Sequence, residues 1–235
     1  MPLSPMIGLI KLFPYDFAPA GWIFCHGQDV PIDESKDLYE MIEFTFGGGG
    51  DKFRMPDLRQ VAPPNCHYCV ASKGTNVTFD GALGETFLKP EYYMPSNLMK
   101  CSGQSLDKSK YADLERHIGT RFGGGPTSFK LPDLQPKNPD YLSYVMTVIG
   151  WNPELIDGYL GELRLLPFEL SRTDYQVLCD GRGPWYRQVQ PELYNLLGSR
   201  FGGNDREFYL PVLRSSAPSQ FNYYMNIQAA PPPKS

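Results

Sequence analysis

The stretch FGGGGDKFRMPDL (46–58) occurs in three versions along the 235-residue sequence. Its counterparts are FGGGPTSFKLPDL (122–134) and FGGNDREFYLPVL (201–213). In each version, glycines follow a phenylalanine, and a second phenylalanine precedes a proline by three residues. Such a repeat is informative, because its period determines the architecture that the chain can form.

The flanking sequence repeats in the same order and at the same spacing. The further landmarks are IGLIKLFP (7–14), LGETFLKP (83–90) and LGELRLLP (160–167); Cys25-His26-Gly27, Cys101-Ser102-Gly103 and Cys179-Asp180-Gly181; and aromatic segments that begin at Tyr68, Tyr144 and Tyr223. Each cysteine follows its proline by 11, 11 and 12 residues. We therefore predict three tandem repeats, at 1–76, 77–153 and 154–235, the last with a C-terminal Pro-rich tail.

Each repeat is predicted to be a small unit of strands with one short helix. An opening strand, a second strand that ends at the cysteine and a closing strand hold most of the apolar residues. Apolar residues four apart predict the helix: Leu38 and Ile42, Leu114 and Ile118, Leu193 and Leu197. The glycine after Cys-x permits a turn with positive φ. The Phe-Gly-Gly glycines are predicted to cap the helix C-terminus.

The fold class is therefore mostly β with short helices (α+β), as three tandem repeats in a fixed arrangement. The connections at 74–82 and 151–159 are too short to act as free tethers. Glycine and proline number 23 each and aromatic residues make up 14% of the chain, which favours many short strands and turns.

Charge and hydropathy exclude several classes of protein. The net charge is −4 without a cluster of Lys or Arg, so we do not expect a nucleic-acid partner. No apolar run approaches the ~20 residues of a membrane span, and no signal-peptide core follows the N-terminus. We expect synthesis in the cytoplasm without a signal peptide. Five cysteines, an odd number, cannot form a complete set of internal disulfides.

Each repeat resembles the phage tail collar domain, found in phage short tail fibres and in bacterial proteins of the microcystin-dependent type. The first repeat carries the resemblance most fully, in APAGWIFCHGQ (18–28) and DLYEMIEFTFGGGGDKFRMPDLR (37–59). The second repeat has Asn97 and Leu98 in place of Gly-Trp, and the third has Val212 in place of the aspartate of Pro-Asp-Leu.

The resemblance implies trimeric fibres and collars. A chain with three copies can form a pseudo-threefold unit that replaces a homotrimer, or three units stacked in a line. Family members usually carry a long variable segment between Pro-Asp-Leu and the last strand, where recognition elements lie. Here this link is about ten residues in each repeat, which favours a scaffolding part over a receptor-binding tip.

The candidate reactive groups have structural interpretations beside the functional ones. Cys66-His67-Tyr68-Cys69, with His26, can be part of a zinc or redox site, but a closed zinc site needs about four ligands, and the segment also fits a closing strand. The runs Gly47–Gly50 and Gly123–Gly125 resemble phosphate-binding loops, but they follow a helix instead of preceding one.

Two further sets of residues have the same ambiguity. Asp57 and Asp133 can be paired acids or turn residues that accept backbone N–H groups. The aromatic residues Trp151, Trp185 and Tyr186 can bind sugars or pack in the core. We therefore predict no catalytic, cofactor-binding or metal-binding residues, and no cofactor.

The resemblance implies a non-enzymatic structural component of a phage tail, a phage-tail-like particle or a self-assembling extracellular fibre, acting as collar, adaptor or fibre subunit. The expected partners are other tail, baseplate or fibre proteins or copies of the chain, with MPLSPM (1–6) and AAPPPKS (229–235) as assembly arms. An adhesin or a receptor- or glycan-binding tail fibre protein is the alternative, and a cell-wall hydrolase is a third hypothesis. The expected location is a virion, a tail-like particle or an extracellular assembly.

Overall fold

The computed structural model describes residues 5–75, 80–91, 93–134, 141–155, 158–171 and 174–234. Within these ranges the chain forms short strands and three seven-residue helices. The helices are α1 (Lys36–Ile42), α2 (Ala112–Ile118) and α3 (Pro191–Leu197). None of the described helices is long and apolar enough to cross a membrane.

The strands follow one another in the same order in each third of the chain. The first third contains β1 (Ile10–Phe13), β2 (Trp22–Phe24), β3 (Asp29–Pro31), β4 (Gly48–Gly49), β5 (Lys52–Arg54) and β6 (His67–Ala71). The second contains β7 (Thr86–Pro90), β8 (Leu98–Lys100), β9 (Ser105–Asp107), β10 (Ser128–Lys130) and β11 (Leu142–Thr147). The last contains β12 (Leu163–Leu166), β13 (Gln176–Leu178), β14 (Trp185–Tyr186), β15 (Glu207–Phe208) and β16 (Asn222–Asn226).

The strand pairing is also the same in each third. The closing strand lies antiparallel between the opening strand and the strand before the cysteine, as in β1–β6–β2, β7–β11–β8 and β12–β16–β13. A separate small antiparallel sheet pairs β3 with β5, β9 with β10 and β14 with β15, with the helix of the unit between the two strands in sequence. The sequence repeat therefore corresponds to a repeated unit of structure.

The Cys-x-Gly stretch holds two parts of each unit together through its backbone. The Cys25 N–H donates to the Tyr68 carbonyl at 2.8 Å, and the Cys25 carbonyl accepts from the Leu58 N–H at 2.8 Å. The same two bonds recur at Cys101 and Cys179. All three cysteines are buried, and the glycine two residues later has positive φ in each unit. The predicted turn is confirmed, and its role is to position the chain.

The predicted role of the Phe-Gly-Gly glycines as helix caps is wrong. The helices end earlier, and the capping residues are Glu43, Gly119 and Gly198. The second glycine of each run instead lies directly against the returning strand. A Cβ atom on Gly124 would lie 2.5 Å from the Ser128 carbonyl oxygen. The equivalent contacts at Gly48 and Gly203 are 2.6 and 2.2 Å. Glycine is required there because only a bare backbone fits.

The C-terminal segment that the sequence suggests as an assembly arm lies against its own chain where the structure describes it. Its last described residues contact the first unit: Pro233 accepts from the Ala20 N–H at 2.9 Å, and Lys234 forms a bridge with Pro19. At the other end, Met6 is fully buried, while residues 1–4 lie outside the described ranges. The described parts of both termini therefore belong to the folded body.

A Gly124→Ala substitution tests the close approach of Gly124 to strand β10. The added methyl group would overlap the backbone of Ser128 and Phe129, and Gly124 has a φ of +144°. We expect the free energy of unfolding to fall by about 1–3 kcal/mol, measured by urea denaturation. Gly125→Ala is the matched control, since its Cβ would be 3.6 Å from the Ser128 side chain, and it should change stability by less than about 0.5 kcal/mol. Equal effects of the two substitutions would contradict this account.

Candidate functional site

The three opening strands meet at the centre of the molecule. Ile10 of β1 pairs with Leu88 of β7, and Leu165 of β12 pairs with Thr86 of β7. Strand β1 also lies against β12, so each opening strand contacts both others. Through these pairs the sheets of the three units join into one sheet. We call the opening strands and the side chains between them the central junction.

The equivalent tyrosine of each closing strand also reaches the central junction. Tyr68, Tyr144 and Tyr223 all line a cavity of about 20 Å³, together with apolar residues of the opening strands. Burial raises the pKa of all three phenols. The Tyr68 and Tyr223 phenols also interact with each other. Three residues that are separated by about a third of the chain thus share one environment.

A buried ion network crosses the central junction. Lys11 Nζ lies 2.5 Å from Glu162 Oε1 and 3.2 Å from Glu85 Oε1, so one lysine joins all three units. Arg164 Nε lies 3.3 Å from Glu85 Oε2, and Arg164 also donates to Gln176 Oε1 at 2.7 Å. The side chains of Glu85, Glu162 and Arg164 are exposed by 5% or less. These charges can be buried because each has an opposite charge within reach.

The electrostatic balance of the network favours the charged forms. Burial alone would lower the pKa of Lys11, but the carboxylates of Glu162 and Glu85 outweigh it and raise that pKa. Burial would likewise raise the pKa of Glu85, and Lys11 and Arg164 reverse the effect and lower it. Lys11 and Glu85 are therefore both charged across the neutral range.

Contacts between the first and last units close the arrangement. Arg200 bonds to Asp16 at 3.1 Å and to the Pro14 carbonyl at 3.3 Å, and its own carbonyl accepts from the Asn65 side chain at 3.0 Å. The Tyr15 hydroxyl donates to the Leu160 carbonyl. The chain's first and third units are therefore in direct contact, as are the first and second and the second and third.

The structure brings His26 and His67 together, as the zinc-site interpretation of the sequence requires, although 41 residues separate them. His26 Nε2 lies 3.3 Å from His67 Nδ1. Cys69 lies in β6 as a strand residue, while Cys66 precedes that strand; both are buried with free thiols. Among the described residues, no three His, Cys, Asp or Glu side chains are grouped so that they could hold a metal ion.

The Pro-Asp-Leu aspartate of the first unit is a turn residue. Asp57 accepts from the Arg59 N–H at 3.2 Å and from its guanidinium at 2.9 and 2.6 Å. The Arg59 side chain lowers the pKa of Asp57 to about 2. Asp133 occupies the equivalent place, where it bridges Ser102 as Asp57 bridges His26. The two aspartates thus lie in separate units at equivalent positions, each at its own turn.

The candidate sugar-binding aromatic residues differ in exposure. Trp151 is half-buried, and the Arg164 guanidinium lies 5.1 Å from its ring. Trp185 is also half-buried and donates its indole N–H to the Arg182 carbonyl at 3.1 Å. Tyr186 alone of the three is well exposed, at 55%.

The ion network was not predicted from the sequence, although a signal was present. Lys11 and Arg164 occupy the same position in their opening strands, and Glu85 and Glu162 share another. Charged residues at equivalent places in otherwise apolar strands indicate buried partners, since isolated charges are not tolerated in a core. Phe87 stands where the third cation would be, and Lys11 lies 5.1 Å above its ring.

Comparison with known proteins identifies the family of the first and second units. The family model for the phage tail collar domain matches residues 8–63 and again residues 84–139. No curated protein and no solved structure matches the chain.

A Lys11→Met substitution tests the ion network. It leaves the Glu162 carboxylate buried without its cation, so we expect a loss of about 3–5 kcal/mol in the free energy of unfolding near neutral pH. Arg116→Met is the control, because Arg116 pairs with Asp113 on the exposed surface, and it should cost less than about 0.5 kcal/mol.

The pH dependence of the stability that Lys11→Met loses gives a second readout of the ion network. The stabilisation from Glu85, whose pKa is lowered, is complete above the ordinary value of 4.5 and is lost as the pH falls through the lower folded-state pKa. The stabilisation from Lys11, whose pKa is raised, is complete below 10.5 and is lost as the pH rises through the higher folded-state pKa. The difference between wild type and Lys11→Met should therefore narrow at both extremes. A difference that stays constant from acid to alkaline pH would be incompatible with the network.

Proposed function

We propose, because the family model for the phage tail collar domain matches the first two units, that the chain is a structural subunit of a phage tail or of a phage-tail-like particle. Proteins of this family are structural phage proteins. Within that role we propose a collar or adaptor, in which one chain supplies a pseudo-threefold unit that otherwise requires three chains. Its partners would be other tail, baseplate or fibre proteins, and its location would be the tail.

One observation carries the proposal: equivalent elements of the three units meet at one centre. The opening strands contact one another pairwise, and Tyr68, Tyr144 and Tyr223 line one cavity. In a homotrimer, identical chains would bring identical residues to such a centre. Here the residues differ between the units, and Lys11, Glu85 and Glu162 form an ion set that three identical chains could not form.

The short links favour a connecting role over recognition. In the first unit, Leu58 and the start of β6 at His67 are separated by a compact turn that includes Pro63 and Pro64. In the third unit, Leu213 and the start of β16 at Asn222 are equally close in sequence. The glycan-binding alternative has weaker support, because Tyr186 is the single well-exposed residue among its three candidates.

The stoichiometry of the chain in purified tails tests the proposal. Tails or tail-like particles from the source cells are isolated, and the chain is counted per particle by quantitative mass spectrometry against a tube or baseplate protein of known copy number. We expect one chain at each threefold position and a single-chain mass for the isolated protein in light scattering. Absence from the particles would contradict the structural role. Three chains at each threefold position would contradict the pseudo-trimer.

A further inference from the structure

The pair His26 and His67 has a geometry that neither the repeat nor the central junction explains. The second and third units have Ser102 and Asp180 where the first has His26. Where the first unit has His67, immediately before the landmark tyrosine, they have Ser143 and Asn222. Both histidines are therefore particular to the first unit, and the fold does not require an imidazole at either position.

The rings are held in place by their surroundings. Phe24 stacks on His26 with ring centroids 4.6 Å apart and an interplanar angle of 8°, and it meets His67 edge-on at 5.3 Å. His67 is fixed to β6, and the backbone of His26 bridges Asp57. Both rings line a cleft of about 270 Å³. The two nitrogens thus face each other in a preorganised position that is open to solvent.

The separation of these nitrogens matches the requirement of a tetrahedral metal ion. Zinc binds imidazole nitrogen at about 2.0–2.1 Å, so two such ligands at the tetrahedral angle lie about 3.4 Å apart. His26 Nε2 and His67 Nδ1 are 3.3 Å apart. A hydrogen bond between two neutral rings gives a similar separation, and the test below distinguishes the two.

The charges around the pair are compatible with a bound cation. Asp57 and Arg59 face His26, and Asp16 and Arg200 face His67, so each ring has one acidic and one basic neighbour. Burial, His67 and Arg59 lower the pKa of His26, and burial and Arg200 lower that of His67.

We propose that His26 and His67 form an open two-histidine site for a divalent transition-metal ion of the zinc class. Cys66 lines the same cleft. The remaining coordination positions are filled by water or by a donor atom of a bound partner. Imidazole is a preferred ligand of such ions. This inference does not depend on the proposed function.

Calorimetric titration of the full-length, tag-free chain with Zn²⁺ at pH 7.5 tests the site. We expect one zinc ion per chain. His26→Ser and His67→Ser use the residues that the second unit has at these positions, so the fold should tolerate them. Each should weaken zinc binding at least about ten-fold, the lower limit of what loss of even an outer-shell partner costs. His117→Gln is the control, since the third histidine of the chain stacks on Phe168 at 4.9 Å, and it should bind zinc as wild type does.

The outcomes separate the site from its alternatives. No binding to wild type would mean that the pair is a hydrogen bond only, and it would overturn the proposal. Binding that persists in both serine variants would place the metal on other groups and would also overturn it. If a serine variant fails to fold, histidine NMR of the wild type decides. Zn²⁺ must then shift the ring signals of His26 and His67 and leave those of His117 in place, and any other pattern rejects the site.

Discussion

The structure depends on the burial of three opening strands against one another. Each unit is a small set of strands with a single seven-residue helix, and a core of that size is marginal by itself. Strands β1, β7 and β12 therefore complete their cores with residues from neighbouring units. The ion network then fixes the partners, because Lys11 finds both of its carboxylates in other units. The cost of taking these charges out of water offsets much of their attraction, so their net stabilisation of the fold is small.

Fusion of three units into one chain permits this asymmetry. With three identical chains, each position at the centre would carry the same residue three times. In the single chain, Lys11, Phe87 and Arg164 share one position and Leu9, Glu85 and Glu162 share another. The three units thus contribute different residues to the centre. Outside the centre, all three units share the Cys-x-Gly turn and the small antiparallel sheet, because the backbone contacts of these two features lie within a single unit.

Most of the fold could be predicted from the sequence, because its landmarks are local. The opening strands, the helices with Leu38, Leu114 and Leu193, and the turn at Gly27 follow from periodicity and glycine chemistry. The capping role of Phe-Gly-Gly was predicted wrongly. The close approach of Gly124 to Ser128 depends on how the chain pairs after the helix, which the local sequence pattern does not show. The central junction and the histidine pair join residues that are far apart in sequence, and periodicity within one unit carries no information on such contacts.

The account is tested most directly by hydrogen exchange of the three opening strands, followed by mass spectrometry on the native protein. If the units share one core, the amides of β1, β7 and β12 should exchange together, at the free energy of global unfolding. Exchange of one opening strand at a much lower free energy, with the other two still protected, would show that the units fold independently and would contradict the shared core.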